Sequence, residues 1–496
     1  MSSLPVAVHT ADQVRALDRH AIDDLRIPSY TLMTRAAEAA LRVLRSCWPS
    51  AQRVAVVCGP GNNGGDGYVL ARLARAERLD VFAIALHEPA RLQGDARRAH
   101  DDFVAAGGKV VGWHADFLRA VDVVVDAIFG VGLSRAVAGA AAEAIAAIND
   151  GDKPVLALDI PSGLHADSGE VLGVAVRASR TLAFIGLKLG FYLDEGPNCT
   201  GIVMCDVLEL PPDALAHVHA AATRIDEPAI AELLPPRRRT AHKGQQGSVL
   251  VIGGNLGMAG AARMTGEAAL RAGAGLVTVA TRNENVPAII GARPELMCRG
   301  VASAEELAAL IAHADVIALG PGLGQDAWAK TMFDTALSND RRAVVDADAL
   351  NLLAQSPRTN PLWILTPHPG EAARLLGKTA GEVQRDRLGA ARAIVQRYGG
   401  TVVLKGAGTL VVTDEACPAI CDRGNPGMAS PGMGDVLTGV IAGVVAQSAD
   451  LAAAARVGVL VHALAGDMAA RRGERGLLAT DLFAHLQTCV NPAQRS

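Results

Sequence analysis

Ser430-Pro431-Gly432-Met433-Gly434-Asp435-Val436-Leu437-Thr438-Gly439 carries the residue types of a phosphoryl-transfer site. Small residues end at an aspartate that opens an Ala/Val/Leu helix. Main-chain N–H groups of Gly432 to Asp435 would then point at one spot beside its carboxylate, at the positive end of the helix dipole. In that setting Asp435 takes a hydroxyl proton while the amides hold the oxygens of the phosphoryl group in transit. A plain N-cap would also place an aspartate here, but it needs neither the flanking glycines nor Thr438. A second chemical stretch is Gly59-Pro60-Gly61-Asn62-Asn63-Gly64, which fits G-x-G-x-x-G between a strand and a helix. Taken alone that match is weak evidence for a dinucleotide site. The helix start behind it offers unpaired N–H groups to a phosphate, and Glu88 lies roughly where a ribose-binding acid would sit. Asn62, Asn63 and Asp66, set among Gly64, Gly65 and Gly67, add oxygens that could ligate a cation or orient a polar ligand. The alternative is a glycine-rich turn with Asp66 as a helix cap.

Two more loops follow apolar runs in the first half: Asp126 to Leu133, and Asp159-Ile160-Pro161-Ser162-Gly163. Burial should raise the pKa of Asp126 and Asp159 and keep them near a ligand, unless each merely caps the next helix. In the second half, Gly253-Gly254 with Met258 to Ala262 forms a turn of little bulk, and Gly320-Pro321-Gly322-Leu323-Gly324 follows a strand. Thr366-Pro367-His368-Pro369-Gly370-Glu371 follows another, with two prolines fixing the backbone of His368. Lys405-Gly406-Ala407-Gly408-Thr409 reads as a ligand loop or an ordinary hairpin turn. Asp346 and Asp348 could bind magnesium through water or cap the helix beginning at Ala349, and the cap is the preferred reading.

The elements that must position these residues alternate. Thr10–Ala21 is a helix opened by a capping box of Thr10 and Gln13, and Tyr30–Cys47 is a second helix. Strands are expected at 53–58, 81–86, 121–126 and 155–159, with helices at 67–78, 92–106 and 139–148 between them. That order implies right-handed βαβ units and a mostly parallel sheet. Around Pro211-Pro212 the pattern lapses, and Arg237-Arg238-Arg239 suits a solvated linker face. A second α/β series starts at 248–253 and continues through 276–280, 316–319, 343–346, 363–366 and 401–405. The chain of 496 residues is too long for one core, since about 150 residues per domain gives two or three. The expected domains are 1–215 and 225–492. Only 3% of residues are aromatic, so Ala, Val and Leu build the interior. A net charge of −4 gives no reason to expect a nucleic-acid or anionic-membrane partner. No membrane span and no signal peptide are expected, and eight scattered cysteines suit reduced thiols in the cytoplasm.

The three loops of the first half resemble the N-terminal domain of the NAD(P)H-hydrate epimerase family over roughly residues 10–210. Gly-Asn-Asn-Gly-Gly-Asp-Gly, Asp-Ala-Ile-Phe-Gly-Val-Gly-Leu and Asp-Ile-Pro-Ser-Gly stand in the family's order. The resemblance implies that Asn62, Asn63, Gly64, Gly65 and Asp66 bind the phosphates of the hydrate. It also implies a potassium ion on Asn63, Asp126 and Ser162, and ligand contacts from Gly130, Val131, Gly132, Leu133, Ser134, Arg135 and Ala136, with Asp159 as the acid/base. Residues 225–490 resemble the ADP/ATP-dependent NAD(P)H-hydrate dehydratases, which are ribokinase-like. His242-Lys243-Gly244, Gly-Pro-Gly-Leu-Gly, Thr-Pro-His-Pro-Gly-Glu, Leu-Lys-Gly-Ala-Gly-Thr and Gly-Met-Gly-Asp carry that likeness. By it, Lys405, Gly406, Ala407, Gly408, Thr409 and Gly434 contact the adenine nucleotide. Ala262, Gly322, His368 and Asp435 contact the hydrate, and Asp435 is the base. One departure is Pro431, which has no N–H to offer a phosphate where many members carry a small residue.

The expected fold is therefore a Rossmann-like three-layer α/β domain fused to a ribokinase-like α/β domain. The implied substrates are the hydrates of NADH and NADPH with ADP as phosphoryl donor. The implied ions are K+ in the first half and Mg2+ in the second, and the expected state is a cytoplasmic homo-oligomer. The chemistry is coherent: phosphorylating the hydrate's hydroxyl makes a good leaving group, which the ring nitrogen then expels. A ribokinase-like small-molecule kinase fused to a nucleotide-binding module is the alternative.

Overall fold

Runs of four to six Val, Ala, Ile and Leu residues, ended by Gly or Asp, form strands buried on both faces, as parallel sheets require. In strand Arg53–Cys58, Val54 and Val56 belong to one apolar cluster and Ala55 and Val57 to another on the opposite face. The computed structural model describes residues 4–491. They form two compact units that divide between Ala222 and Thr223.

The first unit is built on seven parallel strands in the order Lys109–Gly112, Asp80–Ala85, Arg53–Cys58, Val123–Ala127, Val155–Leu158, Arg180–Phe184, Ile202–Asp206. Chain order reverses between Arg53–Cys58 and Val123–Ala127, and the crevice beyond a reversal is where doubly wound sheets bind ligands. Helices Ala11–Asp23, with the Thr10/Gln13 capping box, and Ser29–Cys47 precede this sheet. The strands Lys109–Gly112, Arg180–Phe184 and Ile202–Asp206 were not expected. They are only four or five residues long, and their place in the sheet comes from neighbouring strands rather than from alternation of their own.

The helix after the first glycine loop differs from expectation in a useful way. It spans Asn62–Ala76, beginning five residues before the predicted start, with Gly61 as its N-cap. Glycine's poor helix propensity argued for a loop, and tertiary packing overrides it. A Cβ on Gly64 would lie 2.0 Å from the Gly59 carbonyl oxygen, and one on Gly67 2.7 Å from Ala127 Cβ. On Gly59 it would lie 1.9 Å from the oxygen of Ile128. The glycines let this helix start against the strand ends at the reversal point.

The second unit repeats the strand order. Met297–Gly300, Leu276–Thr281, Ser248–Ile252, Val316–Leu319, Arg342–Val345, Trp363–Leu365 and Thr401–Leu404 lie parallel. Thr409–Val412 and Ala419–Cys421 then continue the sheet as antiparallel strands. Helices Ala259–Arg271 and Met433–Val445 pack closely because Gly439 and Gly443 face the first helix; a Cβ on Gly439 would sit 2.1 Å from the Thr265 carbonyl oxygen. The helical stretch Leu451–Arg472 is long and apolar enough to cross a bilayer, which the sequence reading did not single out. Here Val457, Leu460, Val461 and Ala465 are core residues of this unit.

Gly439→Ala should destabilise the second unit by about 3 kcal/mol, the upper range for an overpacked core. Calorimetry should show one melting transition falling by roughly 6–10 °C. An unchanged thermogram would contradict the close helix contact.

Candidate functional sites

In the first unit, a cleft of about 580 Å³ opens at the reversal point of the sheet. Its walls come from the Gly61–Asp66 turn, from Ile128–Arg135, from Asp159 and from the helix carrying Arg15 and Asp18. Asp159 ends its strand in a left-handed backbone conformation, φ 65°. Such a conformation costs a non-glycine residue about 1–3 kcal/mol and persists where surrounding structure fixes it. The ammonium of Lys188, fully buried, is its counter-ion and also donates to the Phe184 carbonyl at 3.0 Å.

Asp66 and Asp18, also in this cleft, make no ion pair or side-chain hydrogen bond among the described residues. Burial raises the pKa of Asp66 well above the ordinary range, and Asp159 and Asp18 add to the rise. Asp18 is raised by burial and by Asp159, against a smaller pull from Arg19. The sequence reading missed Asp18 and Lys188. Each had a signal: Asp18 is one turn beyond Val14 at the margin of a buried helix face, and Lys188 interrupts an apolar run.

Asp126 is fully buried. Its Oδ1 accepts from Ser162 Oγ at 2.5 Å and from the Ile128 N–H at 3.2 Å, and its Oδ2 from the Ser162 N–H at 2.8 Å. Burial lifts its pKa to about 6, and the three donors oppose that rise. Beside the same loop lies Asn63, buried, with neither amide atom hydrogen-bonded among the described residues. A Cβ built on Gly130 would lie 3.3 Å from Asp159 Oδ2 and 3.8 Å from Asn63 Cγ, so all three meet at one point.

Other expectations for this unit need correction. Gly65 cannot lend its N–H to a phosphate, because it closes the first helical turn on Gly61 O at 3.1 Å. The N–H groups of Asn62, Asn63 and Gly64 are the ones left over at this helix start. Asp66 faces two carboxylates and is a poor phosphate contact; it is inside the helix, not its cap. Gly130, Val131, Gly132, Leu133, Ser134 and Arg135 line the cleft, whereas Ala136 does not. Glu88 is exposed, pairs with Arg91 and is outside the cleft wall. Asp126 fits the expectation of a carboxylate perturbed by burial, and Asp159 carries an ion pair with Lys188.

In the second unit, helix Met433–Val445 starts from Gly432, whose φ of 87° suits only glycine without strain. Its first N–H groups, those of Met433, Gly434 and Asp435, have no helical acceptor. The carboxyl of Asp435 is in this first turn, half-buried, with no hydrogen-bond partner among the described residues. Burial and the neighbouring carboxylates Asp346 and Asp348 push its pKa to about 7, against the opposing pull of Lys405. Asp346 sits at the N-cap position of helix Ala347–Gln355, but its carboxylate makes no cap bond, which corrects the preferred reading. It is buried, accepting from Lys405 Nζ at 2.6 Å and from Thr438 Oγ1 at 2.7 Å. Asp348 Oδ2 accepts from the Gly324 N–H at 2.8 Å, so it ties down the Gly320–Gly324 loop. Burial works to lower the pKa of Lys405, yet Asp346 and then Glu371, 3.7 Å away, raise it.

Lys405–Thr409 is a hairpin turn that brings its lysine to the start of helix Met433–Val445. It joins antiparallel strands, and Lys405 Nζ lies 3.5 Å from where a Cβ of Gly434 would be. The buried guanidinium of Arg387 holds the turn through the carbonyls of Leu404, Lys405, Ala407 and Gly408. Nothing in the sequence distinguished Arg387 from other helical arginines. His368 is exposed and caps helix Pro369–Leu376: its Nδ1 accepts from the Gly370 N–H at 3.0 Å while Glu371 accepts from the His368 N–H at 2.8 Å. Gly322, φ 60°, packs against Met258, where a Cβ would lie 2.9 Å from Met258 Cβ. Ala262 is fully buried under Gly254 and presents no surface to a ligand, contrary to expectation.

Asp346→Asn should leave the buried Lys405 ammonium poorly compensated and cost about 3–5 kcal/mol of stability. Lys405→Met should cost a similar amount, and the double variant less than the two combined. Strict additivity in urea unfolding would show that the pair is not coupled.

Two family models match the chain in succession. One, described as YjeF-related protein N-terminus, covers residues 29–190, and one described as NAD(P)H-hydrate dehydratase covers 249–488. A bifunctional NAD(P)H-hydrate repair enzyme of Coxiella burnetii is 49% identical over 97% of this chain and 98% of its own length. Among solved structures, a ribokinase-like superfamily protein of Enterococcus faecalis is 31% identical, with TM-score 0.51, over 54% of this chain and 95% of that one. An ADP/ATP-dependent NAD(P)H-hydrate dehydratase of Bacillus subtilis, co-crystallised with ATP and Mg2+, is 30% identical, with TM-score 0.50, over 54% and 96%. Two fused domains in this order, at this identity over nearly the full length, mean that the chain belongs to the family of bifunctional NAD(P)H-hydrate repair enzymes.

Proposed function

We propose that the first unit interconverts the R and S forms of NADH and NADPH hydrates, and that the second dehydrates the S form with ADP as donor. The observation that carries the reading is Asp435, an unpartnered carboxyl beside free amides at a helix start and within reach of the Lys405 charge. Asp435 takes the proton of the hydrate's hydroxyl, and that oxygen bonds the β-phosphorus of ADP as AMP leaves. The amides of Met433, Gly434 and Asp435 meet the charge on the phosphoryl oxygens. The ring nitrogen's lone pair then expels phosphate, and loss of the neighbouring C–H proton restores the dihydronicotinamide. Gly434 and the Lys405–Thr409 turn hold the nucleotide, while His368 and Gly322 border the hydrate.

Magnesium would supply positive charge to the nucleotide phosphates. Asp346 has both oxygens engaged by Lys405 and Thr438, so Asp348 and Asp435 are the carboxylates with room for it. In the first unit, the unpartnered amide of Asn63 and the buried Asp126 with Ser162 fit a potassium ion, which would supply the missing positive charge. Asp159 serves there as the acid/base. The same reading includes a homo-oligomer in the cytoplasm, and the eight free cysteines accord with a reducing compartment.

Incubation of the protein with both epimers, ADP, magnesium and potassium should regenerate all the reduced cofactor. Accumulation of a stable phosphorylated product would instead mark a conventional kinase. Because Asp435 must be ionised to accept a proton, kcat/KM for dehydration should climb with pH up to about 7 and level off above it. Asp435→Asn should lower it by roughly 10²–10⁴-fold. Activity flat from pH 5 to 8, a range spanning that pKa, would exclude Asp435 as the base.

A further inference from the structure

Resting on the epimerase reading of the first unit, the inference concerns how a single cleft can add and remove the same hydroxyl on two faces of a ring. Four carboxylates, Asp18, Asp66, Asp95 and Asp159, line that cleft; Asp95 accepts from the Ser29 hydroxyl, and among the four only Asp159 has a buried cation against it. Asp66 is in the second turn of helix Asn62–Ala76 and Asp18 on helix Ala11–Asp23, so they approach from elements other than the strand end that carries Asp159. Neither has a hydrogen-bond partner among the described residues. Asn63, one turn before Asp66, puts an unpartnered buried amide into the same cleft and shows that the cleft is built for a polar ligand.

We propose that Asp66 is a second catalytic residue of this cleft, a general acid that protonates the departing hydroxyl while Asp159 works as base from another side. The Asp66 proton goes to the hydroxyl oxygen, the carbon–oxygen bond breaks, and the ring nitrogen's lone pair forms a carbon–nitrogen double bond as water leaves. A water on the opposite face adds to that carbon, its oxygen forms the new bond, and its proton goes to Asp159. Asp66 is then ionised and Asp159 protonated, which is the state needed for the reverse conversion. Asp18, close enough to raise the pKa of Asp66 and to be raised by Asp159, is the group through which the proton returns. Two like carboxylates made different by one neighbouring ammonium are the arrangement that gives one acid and one base. This assigns Asp66 to proton transfer, where its glycine-rich surroundings suggested phosphate binding.

The test uses the full chain, one purified hydrate epimer, KCl and water enriched in oxygen-18. Wild-type protein should place label in the ring hydroxyl as fast as it epimerises. Asp66→Asn should slow enzymatic epimerisation by at least 100-fold, the usual worth of a general acid, while S-hydrate dehydration by the second unit stays intact and certifies the preparation. Asp66→Glu, which keeps a proton to give, should recover part of the loss, as a merely structural role would not allow. Epimerisation by Asp66→Asn at the wild-type rate would overturn the proposal and leave the epimerase reading standing. Epimerisation of wild-type protein without label would also overturn it, because the ring would then open with the oxygen retained. No acceleration by wild-type protein would defeat the epimerase reading itself.

Discussion

Burying a carboxylate at the end of a parallel strand is costly unless a charge or several donors meet it, and both units are arranged around that constraint. Two of these groups are hydrogen-bonded on both oxygens and a third on one. Asp126 has three donors, Asp159 has the ammonium of Lys188, and Asp346 has Lys405 and Thr438. They fix loops to one another across strands distant in sequence. Asp66 and Asp435 are not answered, and each stands in the first turns of a helix that starts against the sheet. The carboxylate oxygens left without a donor among the described residues, those of Asp66 and Asp435 and Oδ2 of Asp159, belong to the groups proposed to move protons.

The two units reach this by the same topology and different chemistry. Both sheets run in the order third, second, first, fourth, fifth, sixth, seventh strand, so both have a crevice beside their first strand. In the first unit the cleft is at that crevice, where Gly59 touches Ile128. In the second the acidic and basic groups come from further along the sheet, after the fifth and seventh strands, and meet under helix Met433–Val445. Shared strand order therefore says little about where the reacting atoms go.

Much of this was legible in the sequence because parallel strands announce themselves as apolar runs between glycines and aspartates. The strands carrying Asp126, Asp159, Asp346 and Lys405 lie within a residue or two of their expected places. What stayed hidden depends on distance rather than pattern. Nothing local tells that the glycines after Asn63 belong inside a helix, since the reasons are tertiary neighbours such as the Met33 side chain against Gly65 and Ala127 against Gly67. Arg387 holds a turn about twenty residues away from a helix that looks ordinary. Asp346 illustrates the opposite failure: its position is that of a cap, and only the approach of Lys405 and Thr438 turns the side chain to another task.

Strain and charge at Asp159 bear on each other. A left-handed backbone at a non-glycine residue is tolerated where something else determines the side chain, and here a buried ammonium does. Lys188 is itself pinned by the Phe184 carbonyl, while the Phe184 N–H donates back to Asp159 Oδ1 at 3.3 Å. The carboxylate is thus clamped on one oxygen while Oδ2 is directed towards Gly130 and the cleft. A group that must accept a proton from a small, mobile reactant gains from such a fixed orientation, because the ordering cost is met in folding rather than in each turnover. Glycine at 130 completes the arrangement, since a side chain there would cover the free oxygen.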